Sequence, residues 1–105
     1  MEPVKLEVIM PHRMFYKGEV VSLSVGTVNG EEGFMKNHEW CCKLIPEQSI
    51  LRLRETGAPG SAEGIYIARI KRGYVEIKDS FAVYTEDASW DGPEPKGAIS
   101  EDQEK

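Results

Sequence analysis

The stretch Asn29–Cys42, NGEEGFMKNHEWCC, concentrates side chains that could do chemistry: the carboxylates Glu31 and Glu32, then His38, Glu39 and the thiols Cys41 and Cys42. A carboxylate pair that works as acid and base is held on opposite sides of a substrate, in a pocket. Glu31 and Glu32 are sequence neighbours on a turn bracketed by Gly30 and Gly33. In extended backbone neighbours point to opposite sides, and on an exposed turn both stay ionised. They read as two solvated turn acids. His38, Glu39, Cys41 and Cys42 are metal ligands by type, but adjacent cysteines on a strand diverge, so only one thiol could join His38 at a tetrahedral centre. His12 is the only other histidine, and no second cluster completes a known ligand spacing. A Cys–His nucleophile would also need a group to orient the histidine and an oxyanion pocket. GTVNGEEG carries the glycines of a phosphate loop without its lysine or the helix that comes after it. No catalytic residue, metal ligand or cofactor site is expected here. One cysteine reads as a small core residue and the other as a surface thiol.

The residues that must position this stretch alternate with a period near two. In KLEVIM, Leu6, Val8 and Met10 alternate with Lys5 and Glu7; in GEVVSLSVG, Val21, Leu23 and Val25 fall on one face and Ser22 and Ser24 on the other. GIYIARIKRG and GYVEIKDSFAVYT continue the pattern, with Val75 and Ile77 facing Phe81 and Val83 as candidate core pairs. Val, Ile, Tyr and Thr dominate, as a pleated half-buried surface favours. Pro11, Gly18, Gly26, Asn29-Gly30, Gly33, Pro46, Gly64 and Gly73 punctuate the runs, and Lys78-Asp79-Ser80 sits where a hairpin would turn. No dozen residues carry a helical apolar stripe. The expected class is all-β, a sandwich or barrel of short strands.

Length and charge narrow the rest. A chain of 105 residues fits one domain with one core. The net charge is −5 and no basic stripe appears, which argues against a nucleic-acid partner. No run approaches the ~20 apolar residues of a membrane-crossing helix, so no direct membrane insertion is expected. The residues before Met10 lack the basic start and apolar run of a secretion signal. Two adjacent cysteines are not a disulfide framework; they read as free thiols in a reducing compartment. RETGAPGSAEG, Arg54 to Gly64, reads as a soft loop. After Trp90 the composition shifts to DGPEPKGAISEDQEK, with five acids against Lys96 and Lys105. Burial there cannot offset ordering entropy, so residues 91–105 are expected to be a flexible, disordered acidic tail behind a domain at 2–90.

Residue chemistry leaves one feature of the first stretch open. Phe34, Met35 and Trp40 come directly after the acidic turn. All three could be core, yet aromatic and methionine side chains beside a rigid turn also mark a docking edge.

The order of the pieces bears on this. LEVIMP, YKGEVVSLSV, NGEEGFMKNH and RGYVEIKDSFAVYTEDA, in that sequence, resemble the epsilon subunit of F-type ATP synthase, called delta in mitochondria. The resemblance covers Leu6 to Ala88. It implies a flattened antiparallel β-sandwich of two roughly five-stranded sheets without catalytic residues, one surface packed on the gamma subunit and the bottom edge on the polar loops of the c-ring. It implies a peripheral position in the complex on the cytoplasmic face of the membrane, a role in coupling ion movement to ATP synthesis or hydrolysis, and a monomer when isolated. Carried over residue by residue, Gly30, Glu31, Glu32, Gly33 and Phe34 would face the c-ring, and Met35, His38, Trp40 and Cys42 would face gamma. Carboxylates on a rigid turn suit charge-assisted contacts with arginines on the c-ring loops. The family usually has Pro-Gly-His followed by small and apolar residues, where this chain has Lys36-Asn37-His38 and then EWCCKL. Relatives often continue into a two-helix domain that inserts into the catalytic head and in some bacteria binds ATP; for this sequence neither helix insertion nor a nucleotide site is expected.

Overall fold

A computed structural model describes residues 2–56 and 64–100. Seven strands run through them: β1 (Val4–Ile9), β2 (Met14–Thr27), β3 (Gly30–Phe34), β4 (Cys41–Ile45), β5 (Ser49–Glu55), β6 (Ile65–Ile77) and β7 (Phe81–Trp90). No described residue is helical. Seven strands make two five-stranded layers because β2, β6 and β7 each pass from one layer to the other. The first layer runs β3, the end of β2, β5, the start of β6 and the end of β7. The second runs β4, the end of β6, the start of β7, β1 and the start of β2. The described body measures 33 × 33 × 22 Å, a flattened sandwich. All pairings are antiparallel except β1 with β7, which is parallel. That pair joins the first described strand to the last, and every other pairing fits the antiparallel sandwich expected.

The period-two positions fill the space between layers. Leu6, Val8, Val75, Ile77, Phe81 and Val83 of the second layer meet Leu23, Val25, Leu51, Leu53 and Ile70 of the first, all buried. The anticipated core pairs are cross-strand partners, Val75 with Val83 and Ile77 with Phe81, and Lys78–Ser80 turns the hairpin between them. One expectation fails by a single residue. Alternation puts Val21 in the core, but the register between β2 and β5 slips between Val20 and Ser22, so Val20 is buried and Val21 is turned outward. A bulge inserts one residue and switches the facing of its neighbours, which alternation alone cannot foresee. A second slip lies between Tyr16 and Met14, where β2 faces β1; Phe15 and Tyr16 are consequently both buried.

β6 changes layers at Arg72–Gly73, between its pairing with β5 and its pairing with β4. Arg72 has φ 28° and Gly73 φ 154°. A Cβ on Gly73 would lie 1.8 Å from the Tyr84 carbonyl oxygen, so no other residue fits that corner. The buried Thr85 hydroxyl fastens the corner, accepting from Lys71 N at 3.0 Å and within donating distance of the Lys71 and Asp87 carbonyls.

The segment after Trp90 departs most from expectation. Residues 101–105 lie outside the described residues, as do 57–63, on which most of the soft loop expected at Arg54–Gly64 falls. Residues 91–100, however, return across the start of β2. Lys17 N donates to Gly97 O at 3.0 Å and Ile99 N to Phe15 O at 3.0 Å, with Ala98 bridged to Tyr16. Pro95 is buried, and Trp90 stacks on Phe15 with ring centroids 4.6 Å apart. Residues 91–100 are therefore held against the sandwich, in contrast to the free tail expected from Asp91. Their composition offers too little apolar area to order them; backbone hydrogen bonds to an open strand supply what side chains do not.

Candidate docking surfaces

The acidic residues come first in the chain and lie on an edge strand. The turn itself is Val28–Asn29; Gly30 to Gly33 already belong to β3, paired with Thr27 to Ser24 of β2. Gly30 needs its missing side chain, with φ 106°. Gly33 does not share that positive φ. As neighbours on a strand, Glu31 and Glu32 diverge. Glu31 lies on the outer face of the first layer, where it accepts from Ser24 Oγ at 2.7 Å and pairs with the Arg52 guanidinium. Glu32 lies on the other side, within 2.8 Å of Thr27 Oγ1 and 3.7 Å of Lys43 Nζ. Both carboxylates already have partners in the chain, in contrast to the two solvated turn acids read from the sequence.

Phe34, assigned to the c-ring edge, is 1 % exposed and faces the core; it supports that edge without forming it. Met35 (49 % exposed) and Trp40 (66 %) lie outside. The alternatives left open by the sequence are thus divided: one aromatic is core and two apolar residues are surface. His38 ends a turn closed by its own N–H to Met35 O at 3.1 Å, with Asn37 at φ 71°. Its ring stands edge-on to Phe34 at 5.0 Å, and its Nδ1 is 2.7 Å from the Glu39 carbonyl, which can only accept. Among the described residues no carboxylate orients the ring. Cys41 is half-buried against the core and Cys42 is exposed, as the alternating reading of the pair required. Among the described residues no three His, Cys, Asp or Glu side chains form a group that could hold a metal.

The expected gamma-facing residues spread over two adjoining hollows that share His38, which lines one with Trp40 and the other with Met35. Met35 and His38 line a shallow cavity of about 600 Å³ with Ser24, Arg52 and Ile65, on the side of the first layer. Trp40 and Cys42 lead into β4, whose outward positions belong to the second layer.

There the structure displays a row that sequence reasoning missed. Leu44 of β4 pairs with Tyr74 of β6, Tyr74 with Tyr84 of β7, Tyr84 with Ile9 of β1, and Ile9 with Met14 of β2. All five point away from the core. The tyrosine rings stack with centroids 4.7 Å apart, and Leu44 is 61 % exposed. Val28, at the hairpin tip, joins the row where its N–H donates to Leu44 O at 2.9 Å. At about 4.8 Å per strand the row is roughly 20 Å long. The sequence did carry a signal for it. Val8-Ile9, Leu44-Ile45, Tyr74-Val75 and Val83-Tyr84 are neighbouring apolar pairs, and a strand apolar on both faces is covered on both.

Comparison with known proteins places this geometry. The model of the ATP synthase delta/epsilon chain β-sandwich domain matches residues 3–90. The chain belongs to that family. It is 32 % identical over 100 residues to the ATP synthase epsilon chain of Leptospira interrogans (serogroup Icterohaemorrhagiae, serovar copenhageni), covering 94 % of this chain and 66 % of the relative. It is 29 % identical over 86 residues to that of Caldanaerobacter subterraneus subsp. tengcongensis, covering 81 % and 58 %. The chain thus spans about three fifths to two thirds of the length of these relatives. A chain in the mitochondrial ATP synthase of Euglena gracilis superposes with a TM-score of 0.72 at 18 % identity, over 84 % of this chain and 53 % of that one. One from the central stalk and c-ring of the Tetrahymena thermophila enzyme gives 0.66 at 12 % identity, over 84 % and 66 %. At such identities the likeness is one of fold.

Proposed function

We propose that this chain is a non-catalytic rotor subunit in the central stalk of a membrane ATP synthase. It fastens the gamma subunit to the c-ring, so that ion flow through the ring and catalysis in the head stay coupled. Family membership supports the complex. The observation that supports the docking role is the row Leu44–Tyr74–Tyr84–Ile9–Met14, apolar and partly exposed on a rigid sheet. We assign the row to gamma, with Cys42 and Trp40 continuing it along β4 and Met35 and His38 marking its far border. The edge strand Gly30–Gly33 is assigned to the polar loops of the ring, with Phe34 behind it. Glu31 would then exchange its Arg52 partner for a basic residue of the ring, a small cost at an exposed site. No described helix is long and apolar enough to cross a membrane, which agrees with a peripheral position. We place that position on the cytoplasmic face.

Co-expression with the gamma subunit of the same cell tests the assignment. A one-to-one complex is expected, from a chain that is monomeric alone. Replacing Leu44 and Tyr74 together by aspartate should weaken that complex ~100-fold or more, since central aromatic anchors each contribute on the order of 2 kcal/mol. A chain purified free of gamma, or a double variant that binds as tightly as the parent, would overturn it. Reversing Glu31 and Glu32 to lysine should lower ion-coupled ATP synthesis in membrane vesicles; unchanged coupling removes both from the ring contact.

A further inference from the structure

The docked segment 95–99 has the features of a bound ligand. β5 runs antiparallel to β2, pairing Leu51 with Val25 through to Glu55 with Val20, and Thr56 N reaches Glu19 O at 3.3 Å. The chain then leaves. Gly97 and Ile99 take up the same line against Lys17 and Phe15, in the same direction. Residues 97–99 therefore fill the stretch of β2 edge where β5 would have continued. At the joint stands Glu55, 7 % exposed. Its Oε1 accepts from Lys96 N at 2.9 Å, and its Oε2 from Gly97 N at 2.8 Å and Tyr16 Oη at 2.9 Å. It forms no ion pair with a described residue. Two of its three donors belong to the docked segment, so the carboxylate regains water when that segment leaves. A permanent core carboxylate would have no such alternative.

The site is also shaped for one residue type. A Cβ on Gly97 would lie 2.7 Å from both Lys17 O and Tyr16 Cε1. The backbone of Gly97 is one any residue adopts, so space alone demands glycine. Gly18 makes matching room on the other side, where a Cβ would meet Tyr16 Oη at 2.7 Å. Pro95, two residues earlier, is buried. We propose that the edge of β2 from Phe15 to Lys17, with Glu55 at its head, is a binding site for an extended Pro-x-Gly-small-apolar segment. The site is filled in this chain by its own residues 95–99 and opens without unfolding the sandwich. Glu55 reads two consecutive backbone N–H groups, the Gly97 position excludes any side chain, and the β2 edge supplies the ladder, as in strand addition generally. This inference is independent of the rotor assignment.

Amide exchange followed by NMR on the full chain tests it. The amides of Lys17, Lys96, Gly97 and Ile99 should exchange as one group, at least ~10-fold faster than the slowest amides of β6 and β7, as a locally opening unit does. Glu55→Gln should accelerate that group a further ~10- to 100-fold, the worth of hydrogen bonds to a charged acceptor, and leave β6 and β7 unchanged. Gly97→Val should release the segment. A synthetic peptide of residues 94–100 added to the Gly97→Val chain should restore protection at Lys17, whereas the same peptide with valine for glycine should not. The proposal fails if the four amides are as slow as those of β6 and β7 in the parent chain. It fails equally if Glu55→Gln speeds all amides together, or if a folded Gly97→Val chain gains no protection from the glycine peptide at millimolar concentration.

Discussion

The two outer faces of the sandwich share their strands but differ in chemistry. On the first layer Arg52 pairs with Glu31 and Arg69 with Asp91, among Ser22, Ser24 and Ser89. Its charges are met within the chain or by water. On the second layer the corresponding central row is Leu44, Tyr74, Tyr84, Ile9 and Met14, and at Leu44 and Tyr74 it lies open to water. An apolar row gains free energy by being covered, whereas a paired charged surface gains little. The contrast is one of continuity: the first face also exposes Ile50 and Ile65, but each is paired with an arginine, whereas the second presents an unbroken apolar row.

Both faces depend on β2, β6 and β7 crossing between layers, and the harshest way to break the contrast is at a crossing. Gly73→Ala places a methyl against the Tyr84 carbonyl at a backbone angle that L residues avoid. Chemical denaturation should show a loss of more than ~3 kcal/mol, affecting both faces at once. The next effect separates the faces. Aspartate at Leu44 and Tyr74 should abolish most gamma binding, while aspartate at Ile50 of the first layer, 39 % exposed, should leave it within about twofold. Equal losses from both would erase the distinction drawn between the two surfaces.

A smaller effect concerns the joint between layers. Burial first, then the hydrogen bond and charge of Glu55, push the Tyr16 hydroxyl well above the ordinary tyrosine range. The folded state therefore holds this proton more tightly than the unfolded chain. The associated stability is complete below the unfolded value of ~10 and is lost above it, at up to about 1.4 kcal/mol per pH unit. Tyr84 is shifted in the same direction, chiefly by desolvation, so the quantity to measure is the difference between parent and Tyr16→Phe from pH 8 to 11. A parent curve as flat as the variant's would show that Tyr16 ionises without penalty. The smallest effect is on the charged face: Arg52→Ala should cost at most ~1 kcal/mol, because the pair with Glu31 is exposed. A larger loss would mean that this face, too, has a structural task.

Much of the fold is legible because a half-buried strand imposes its period on the residues directly. Alternation and turn chemistry suffice to put Leu6, Val8, Val75, Ile77, Phe81 and Val83 inside and to locate the turn at Lys78–Ser80. The divergence of Glu31 and Glu32 comes from the same geometry, as does the split of Cys41 and Cys42. Val21 escapes it because a bulge is chosen by the partner strand. Phe34 escapes it because, beside a turn, an apolar residue has no local reason to prefer either side.

By itself, then, the sequence determined strands, core period, turns and family, all of which are recorded within a few residues of one another along the chain. Only the tertiary structure decided which outer face presents an unbroken apolar row, because Leu44, Tyr74, Tyr84, Ile9 and Met14 come from five strands and become neighbours through pairing. It also decided the fate of residues 91–100. Their own side chains bury little, and the open edge of β2 that holds them lies some 80 positions earlier in the chain. Hydrogen bonds to a distant backbone leave no mark on local composition.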